Sequence, residues 1–311
     1  MSSLAEHLPK LAWFCDEPLN DPALLPNYLI ARQLGKRMKV ALNGTGGDEL
    51  FAGYARYFQR PIERHYLTLP GWLRHRVAEP MVGGVSPMNA WRLARAYKFF
   101  EDRGAYLHDH STQFPSPILK LIGNRGGCVT PAQSRSFAAF EGPTQTAALF
   151  ADLETYLPED LLTLLDRSSM SVGVEGRVPF LDNRLVEAAL AVPPEIRTAG
   201  NRQKGLERRI AERFLPEAVI NAPKQGFSSP VPAWMDHKLT SLARSILTRK
   251  ETLARGWWTA DGIDRLLADT ALHGFRIYSL LMLELTVRIH IELPVSTAPP
   301  TEGLEAFASS V

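Results

Sequence analysis

One short run constrains this chain more than any other. Met38 to Leu42 is apolar and of strand length, and Asn43-Gly44-Thr45-Gly46-Gly47-Asp48 follows at once. An apolar run bounded by glycines predicts a buried strand that ends in a tight turn. Glu49 to Tyr57 then predicts a helix with acidic residues at its start. A strand that turns through glycines into a helix exposes backbone N–H groups suited to phosphate oxygens. Asp48 at that place can hold Mg²⁺, which neutralises a polyphosphate leaving group. A plain tight turn capped by Asp48 explains the same residues, and on physics alone the two readings stand level.

Other phosphate loops do not fit. The run has no GxxxxGK[ST], and Gly44-x-Gly46 lacks the third glycine of a dinucleotide turn. No GxSxG or HExxH occurs, and the close pair His108-Asp109-His110 reads as loop surface. Lys plus Arg number 35 against 33 Asp plus Glu, so the near-zero net charge of +2 gives no reason to expect nucleic-acid binding. The basic segment Arg92 to Arg103 reads as a helix face. Cys15 and Cys128, the two cysteines, are too few for a disulfide scaffold or a four-cysteine zinc site and read as reduced thiols. Met1 to Lys10 lacks the order of a signal peptide. Ile277 to Val287 is interrupted by Glu284 and too short to span a bilayer. A cytoplasmic protein without a membrane span is the resulting expectation.

With 311 residues, the length and pattern predict one main domain with an irregular insertion. A polar lead and a turn at Asp16-Glu17-Pro18 open the chain, and Leu24 to Leu34 predicts a helix with Pro26 in its first turn and Gly35 as its stop. Aromatic-rich helical patches, clearest at Trp91 to Phe100, precede a stretch from Gly123 to Pro143 that reads as a long loop. From Ala147 the pattern is helical, with Pro158 at a first turn and an apolar face of Leu161, Leu162, Leu164, Leu165 and Met170. The acids Asp152, Glu154, Glu159, Asp160 and Asp166 read as a solvated helix face. Asp182 predicts the N-cap of a helix from Asn183 to Val192, which Pro193-Pro194 stops. Leu206, Ile210 and Phe214 fall at i, i+4 and i+8, the pattern of a buried stripe. A final amphipathic helix covers Arg276 to Leu293, and the Pro/Thr/Ser-rich tail from Pro294 predicts disorder.

Two further places carry charge beside special backbone. In Glu175-Gly176-Arg177-Val178-Pro179-Phe180-Leu181-Asp182, an arginine beside a proline-fixed bend suits a carboxylate or phosphate clamp. The plainer reading is favoured: Arg177 neutralises a helix C-terminus, and Val178, Phe180 and Leu181 are core. Lys224, in the loop Pro223-Lys224-Gln225-Gly226-Phe227, can reach a bound anion or stand in solvent, and Lys204 before Gly205 carries the same ambiguity.

Taken together, GTGGDELFAGYARY, DRSSM with VEGRVPFLD, KGLERRIAERFLP and PKQGF resemble the synthetase domain of glutamine-dependent asparagine synthetase. The order and spacing match across residues 8 to 290, and DEPLNDPALLPNYLIA resembles the segment before the family's glycine-rich turn. The resemblance implies an α/β fold, a partial PP-loop ATPase (Rossmann-like, adenine nucleotide alpha hydrolase-like) dominated by helices. It implies one synthetase domain over 1–293 and a disordered tail over 294–311.

The activity it implies is that of an ATP- and Mg²⁺-dependent, AMP-forming ligase. The side-chain carboxylate of aspartate attacks the α-phosphate of ATP, pyrophosphate leaves, and ammonia displaces AMP. Asp48 would hold Mg²⁺-pyrophosphate; Asn43, Gly44, Thr45, Gly46 and Gly47 would line the nucleotide. Lys224 would neutralise charge on the phosphates or the tetrahedral intermediate. Lys204, Asp166, Glu175 and Arg177 are further pocket candidates.

Three departures stand out. No SGGxDS pyrophosphate loop occurs, so the resemblance implies that the loop lies upstream of residue 1 or on a different chain; a homodimer is a separate expectation. The family's glutaminase domain is absent, and Ser2 follows Met1 where its nucleophilic cysteine would stand. Thr45 occupies a position that is often acidic in asparagine-forming members. The alternatives are therefore another adenylating amide-former, β-lactam-forming or peptide-cyclising, and a non-catalytic remnant.

Overall fold

The computed structural model describes residues 2–58, 65, 68–78, 80, 81, 114, 116–124, 132–222, 229–294 and 296–309. Cys128, the helical patch Trp91 to Phe100, the segment Arg92 to Arg103, His108 to His110 and the Lys224 loop lie outside these residues.

Helix α1, Ser2–Cys15, replaces the expected polar lead. Leu8, Leu11, Ala12 and Cys15 make its buried stripe, a helical spacing that Pro9 and Lys10 between them obscure in the sequence. Helix α2, Leu24–Leu34, has the expected bounds, and Gly35 N–H closes it on the Ala31 carbonyl at 2.8 Å. Strand β1, Val40–Leu42, leads into α3, a single turn at Gly47–Leu50.

The helix expected from Glu49 to Tyr57 is broken. Ala52 adopts a left-handed φ of 54° and Gly53 N–H bonds back to the Asp48 carbonyl, so the chain reverses before a 3₁₀ turn at Ala55–Tyr57. Helix α4, Ala132–Ala139, occupies part of the stretch expected as loop; Gln133, Ser134 and Phe137 face inward at helical spacing.

Helix α5, Thr144–Glu154, runs through a wide helical turn at Leu157–Leu162 into α6, Thr163–Met170. Pro158 sits at the start of that turn, as expected. Helix α6 packs on α2 and delivers the chain to β2, Glu175–Arg177. The two strands are parallel, with Val40 opposite Glu175, Ala41 opposite Gly176 and Leu42 opposite Arg177. β1 is not the buried strand its apolar run predicts: Leu42 is 76% exposed. A sheet of two strands has no third layer to cover that face among the described residues.

Helix α7, Asn183–Ala191, begins at the expected cap, where the Asp182 carboxylate accepts from Arg184 N–H at 3.1 Å. Val178, Phe180 and Leu181 are half-buried. Helix α8, Gly205–Ala211, follows. Its expected buried stripe fails: Leu206 is half-buried, but Ile210 is exposed and Phe214 is 77% exposed.

The main core is built by α9, His237–Leu247, α10, Ala260–Leu267, and α11, Thr270–Val287, with α1 and α2 packed against them. Helix α11 begins ahead of the expected final helix and is buried nearly all round, as a central helix must be. The tail is not wholly irregular. Helix α12, Leu304–Ser309, buries Leu304 and Phe307 in the main core. Lys238 pairs with Glu305 at 2.6 Å, and Arg249 donates to the Ala308 carbonyl at 3.1 Å. Composition predicted disorder there; two apolar residues three apart on a short helix overrule it. No helix among the described residues is long and apolar enough to cross a membrane.

Candidate functional site

The turn between β1 and α3 is held by its own side chains. Asn43 Oδ1 accepts from Thr45 N–H at 2.8 Å and from Thr45 Oγ1 at 2.6 Å, an Asx turn closed by the threonine hydroxyl. Asn43 N–H continues the sheet by donating to the Arg177 carbonyl at 2.7 Å. Gly46 has φ +95°, and a Cβ there would lie 2.4 Å from Leu181 Cδ2, so the turn needs glycine twice over. A Cβ on Gly44 would meet nothing within 4 Å, so a ligand has open access to that backbone.

The cleft above this turn measures ≈ 550 Å³. Asn43, Gly44, Thr45, Gly46, Asp48 and Glu49 form one wall, and Asp21, Tyr54 and Tyr156 add polar atoms from elsewhere. Leu161, Leu164 and Leu165 supply an apolar side. Apolar walls with a few fixed polar groups are the make-up of a small-molecule pocket, and the volume falls in that range.

The Asp48 side chain faces the start of α8. Its Oδ1 pairs with Lys204 Nζ at 3.0 Å, and Lys204 also reaches Glu207 Oε2 at 3.2 Å. Burial works against the Lys204 ammonium, but Asp48 and Glu207 outweigh it and raise its pKa. The reversal at Gly53 makes room for Asp48, because a Cβ on Gly53 would lie 1.9 Å from Asp48 Oδ1. Glu49 is buried; it accepts from the Tyr54 hydroxyl at 2.5 Å. Burial raises the Glu49 pKa, with the Tyr54 hydrogen bond opposing.

Behind the turn lies a buried polar network that sequence reading missed. Asp152, expected on a solvated face, is 0% exposed. It accepts from Arg56 Nε at 3.1 Å, from Arg56 Nη2 at 2.5 Å, from the Tyr57 hydroxyl and from Gln133 Nε2. Burial opposes the Arg56 charge, but Asp152 outweighs it and raises the pKa. Arg56 lies over the Tyr54 and Tyr156 rings at 4.4 and 4.8 Å. Asp160 is also withdrawn from solvent: burial, reinforced by Asp21, pushes its carboxyl up to about 7.

Among the described residues no cluster of three His, Cys, Asp or Glu side chains is arranged to hold a metal ion.

Residues 2–288 match the asparagine synthase family. The chain belongs to that family. As a member, it is 31% identical over 302 residues to asparagine synthetase [glutamine-hydrolyzing] 1 of Bacillus subtilis. That match covers 92% of this chain and 46% of the relative. A putative asparagine synthetase [glutamine-hydrolyzing] of Mycobacterium bovis is 32% identical over 235 residues, 73% of this chain and 35% of the relative. Asparagine synthetase B of Escherichia coli matches at 33% over 86 residues, 27% of this chain and 16% of the relative. The chain thus spans less than half the length of the curated relatives it matches.

The sequence candidates divide accordingly. Asn43 to Gly46 and Asp48 meet in one wall of the cleft; Gly47 starts α3 beside them, and Lys204 closes on Asp48 from α8's start. Glu175 and Arg177 lie on β2, exposed and paired with each other at 2.9 Å, and Asp166 is exposed on α6. Those three do not line the cleft. Arg177 serves the turn through its backbone carbonyl. Lys224 lies outside the described residues.

Proposed function

We propose that this chain carries the ATP-handling site of an AMP-forming amide ligase. In this reading the cleft above Asn43–Asp48 takes Mg²⁺-ATP, and the bound carboxylate substrate is aspartate, activated as β-aspartyl-AMP before ammonia displaces AMP. The juxtaposition of an open glycine turn with the Asp48 carboxylate at one cleft wall carries the reading.

Each residue has a physical task. The turn backbone, unobstructed at Gly44, lets phosphate oxygens approach closely. Asp48 supplies the protein oxygen for Mg²⁺, and bound Mg²⁺ lowers the charge on the departing pyrophosphate. Asn43 and Thr45 are occupied with each other, so they shape the turn and do not move protons. Lys224 is proposed to neutralise developing negative charge. The family's SGGxDS loop and a glutaminase, supplied by further sequence or another chain, would complete phosphate binding and the ammonia source.

Thr45 favours a second reading, an adenylating relative with a different carboxylate acceptor. Its hydroxyl is tied to Asn43 at 2.6 Å and offers no carboxylate at a position often acidic in asparagine-forming relatives. Pyrophosphate formation with Mg-ATP, measured with aspartate and with other carboxylates, separates the two. Aspartate-dependent release that Asp48→Asn abolishes supports the first reading. Release with another carboxylate alone supports the second, and no release with any carboxylate once the sequence or partner carrying the SGGxDS loop is supplied removes the adenylation step.

A further inference from the structure

Lys204 occupies the carboxylate that the proposed function gives to a metal ion. Its Nζ is 3.0 Å from Asp48 Oδ1 and 3.2 Å from Glu207 Oε2. The two acids come from separate elements, Asp48 from α3 and Glu207 from the first turn of α8. All three side chains are a quarter exposed or less, so water screens the trio incompletely.

The backbone is built to deliver this ammonium. Lys204 has φ 55° and ψ 32°, a left-handed conformation that a lysine adopts against its preference. Its neighbours hold it there. Gln203 Nε2 donates to the Gly53 carbonyl at 3.0 Å, which ties the segment to the reversal that seats Asp48. On the other side, a Cβ on Gly205 would lie 3.2 Å from the Arg197 carbonyl oxygen, so the chain is packed closely there. Arg197 is itself fully buried and donates to the Ala189, Leu190 and Val192 carbonyls. A surface lysine needs none of this support.

We propose that Lys204 is a resident counter-cation for Asp48. It neutralises that carboxylate while no metal ion is bound, yields the oxygen to Mg²⁺ arriving with polyphosphate, and keeps Glu207 as its partner afterwards. The trio carries one net negative charge, and one net positive charge once a divalent ion joins it. A free divalent ion must therefore displace an ammonium and leave a charge excess. A metal–polyphosphate brings the anion that offsets the excess. The consequence is ordered loading, in which the ion enters with the nucleotide and binds weakly alone. This inference rests on the proposed function, in which Asp48 is the metal ligand.

The test is Mn²⁺ binding to the 311-residue chain without nucleotide, followed by electron paramagnetic resonance. Lys204→Gln should tighten Mn²⁺ binding roughly two- to fivefold, the equivalent of removing a partly exposed ion pair. Lys204→Gly, which also relieves the left-handed backbone, should give the same tightening if the glutamine variant folds poorly. Adding Asp48→Asn to either variant should abolish the gain. Glu207→Gln should weaken Mn²⁺ binding, because Lys204 then rests on Asp48 alone. Unchanged or weaker Mn²⁺ affinity in both Lys204 variants overturns the inference. If Asp48→Asn nonetheless weakens Mg-ATP binding, the proposed function survives that failure. If Asp48→Asn leaves Mg-ATP binding unchanged, the metal role of Asp48 fails, and this inference fails with it.

Discussion

Asp160 gives the sharpest stability prediction. Its Oδ1 is buried without a hydrogen-bond partner. Burial raises its carboxyl from 3.8 to about 7, and Asp21 adds to the rise while Arg56 opposes it. A carboxylate whose folded pKa is raised binds its proton more tightly in the native state. Its contribution is fully present below the unfolded value and is lost as pH rises through the folded value. Between pH 5 and pH 8 the loss amounts to about 2–3 kcal/mol, at roughly 1.4 kcal/mol for each pH unit up to 7. Asp160→Asn removes the titration. The amide has a cost of its own, but that cost is the same at both pH values and cancels from the comparison. Urea unfolding of both proteins at pH 5 and pH 8 measures the effect. The variant should gain about 2–3 kcal/mol on the parent between the two pH values. Parallel pH dependence in the two proteins would refute the reasoning, since it would mean that Asp160 titrates as an ordinary surface acid.

Two other perturbations test the packing. Asp152→Ala leaves the half-buried Arg56 without that carboxylate and should lower stability by about 3 kcal/mol, read as a fall in urea midpoint; a loss below 1 kcal/mol would show that water reaches the pair. Phe307→Ala should cost about 3 kcal/mol or free α12, making the segment beyond Pro294 accessible to protease; an unchanged cleavage pattern and melting temperature would mean that other contacts hold the tail.

What was legible in the sequence was local. Leu24 to Leu34, the Asp182 cap and the turn at Gly44–Asp48 follow from periodicity, capping chemistry and glycine. β2 was not legible, because Glu175-Gly176-Arg177 has no apolar alternation and is a strand by virtue of its partner. Asp152 was misread because its ligands come from distant segments, Arg56 and Tyr57 on one side and Gln133 on the other. Ile210 and Phe214 show the converse error: helical spacing of apolar residues does not bury them unless another element covers that face. At the site, the pairing of Lys204 with Asp48 spans more than 150 positions and depends on a left-handed lysine that no propensity predicts.

In the proposed function the Asn43–Asp48 turn binds Mg-ATP through the Asp48 carboxylate. Calorimetric titration of Mg-ATP into the chain and its Asp48→Asn variant tests it most directly. The parent should bind, and affinity should fall about tenfold or more in the variant, the loss of one charge-assisted ligand worth about 1.5–3 kcal/mol. Equal affinity in the two proteins, or no binding to a folded parent, would contradict it.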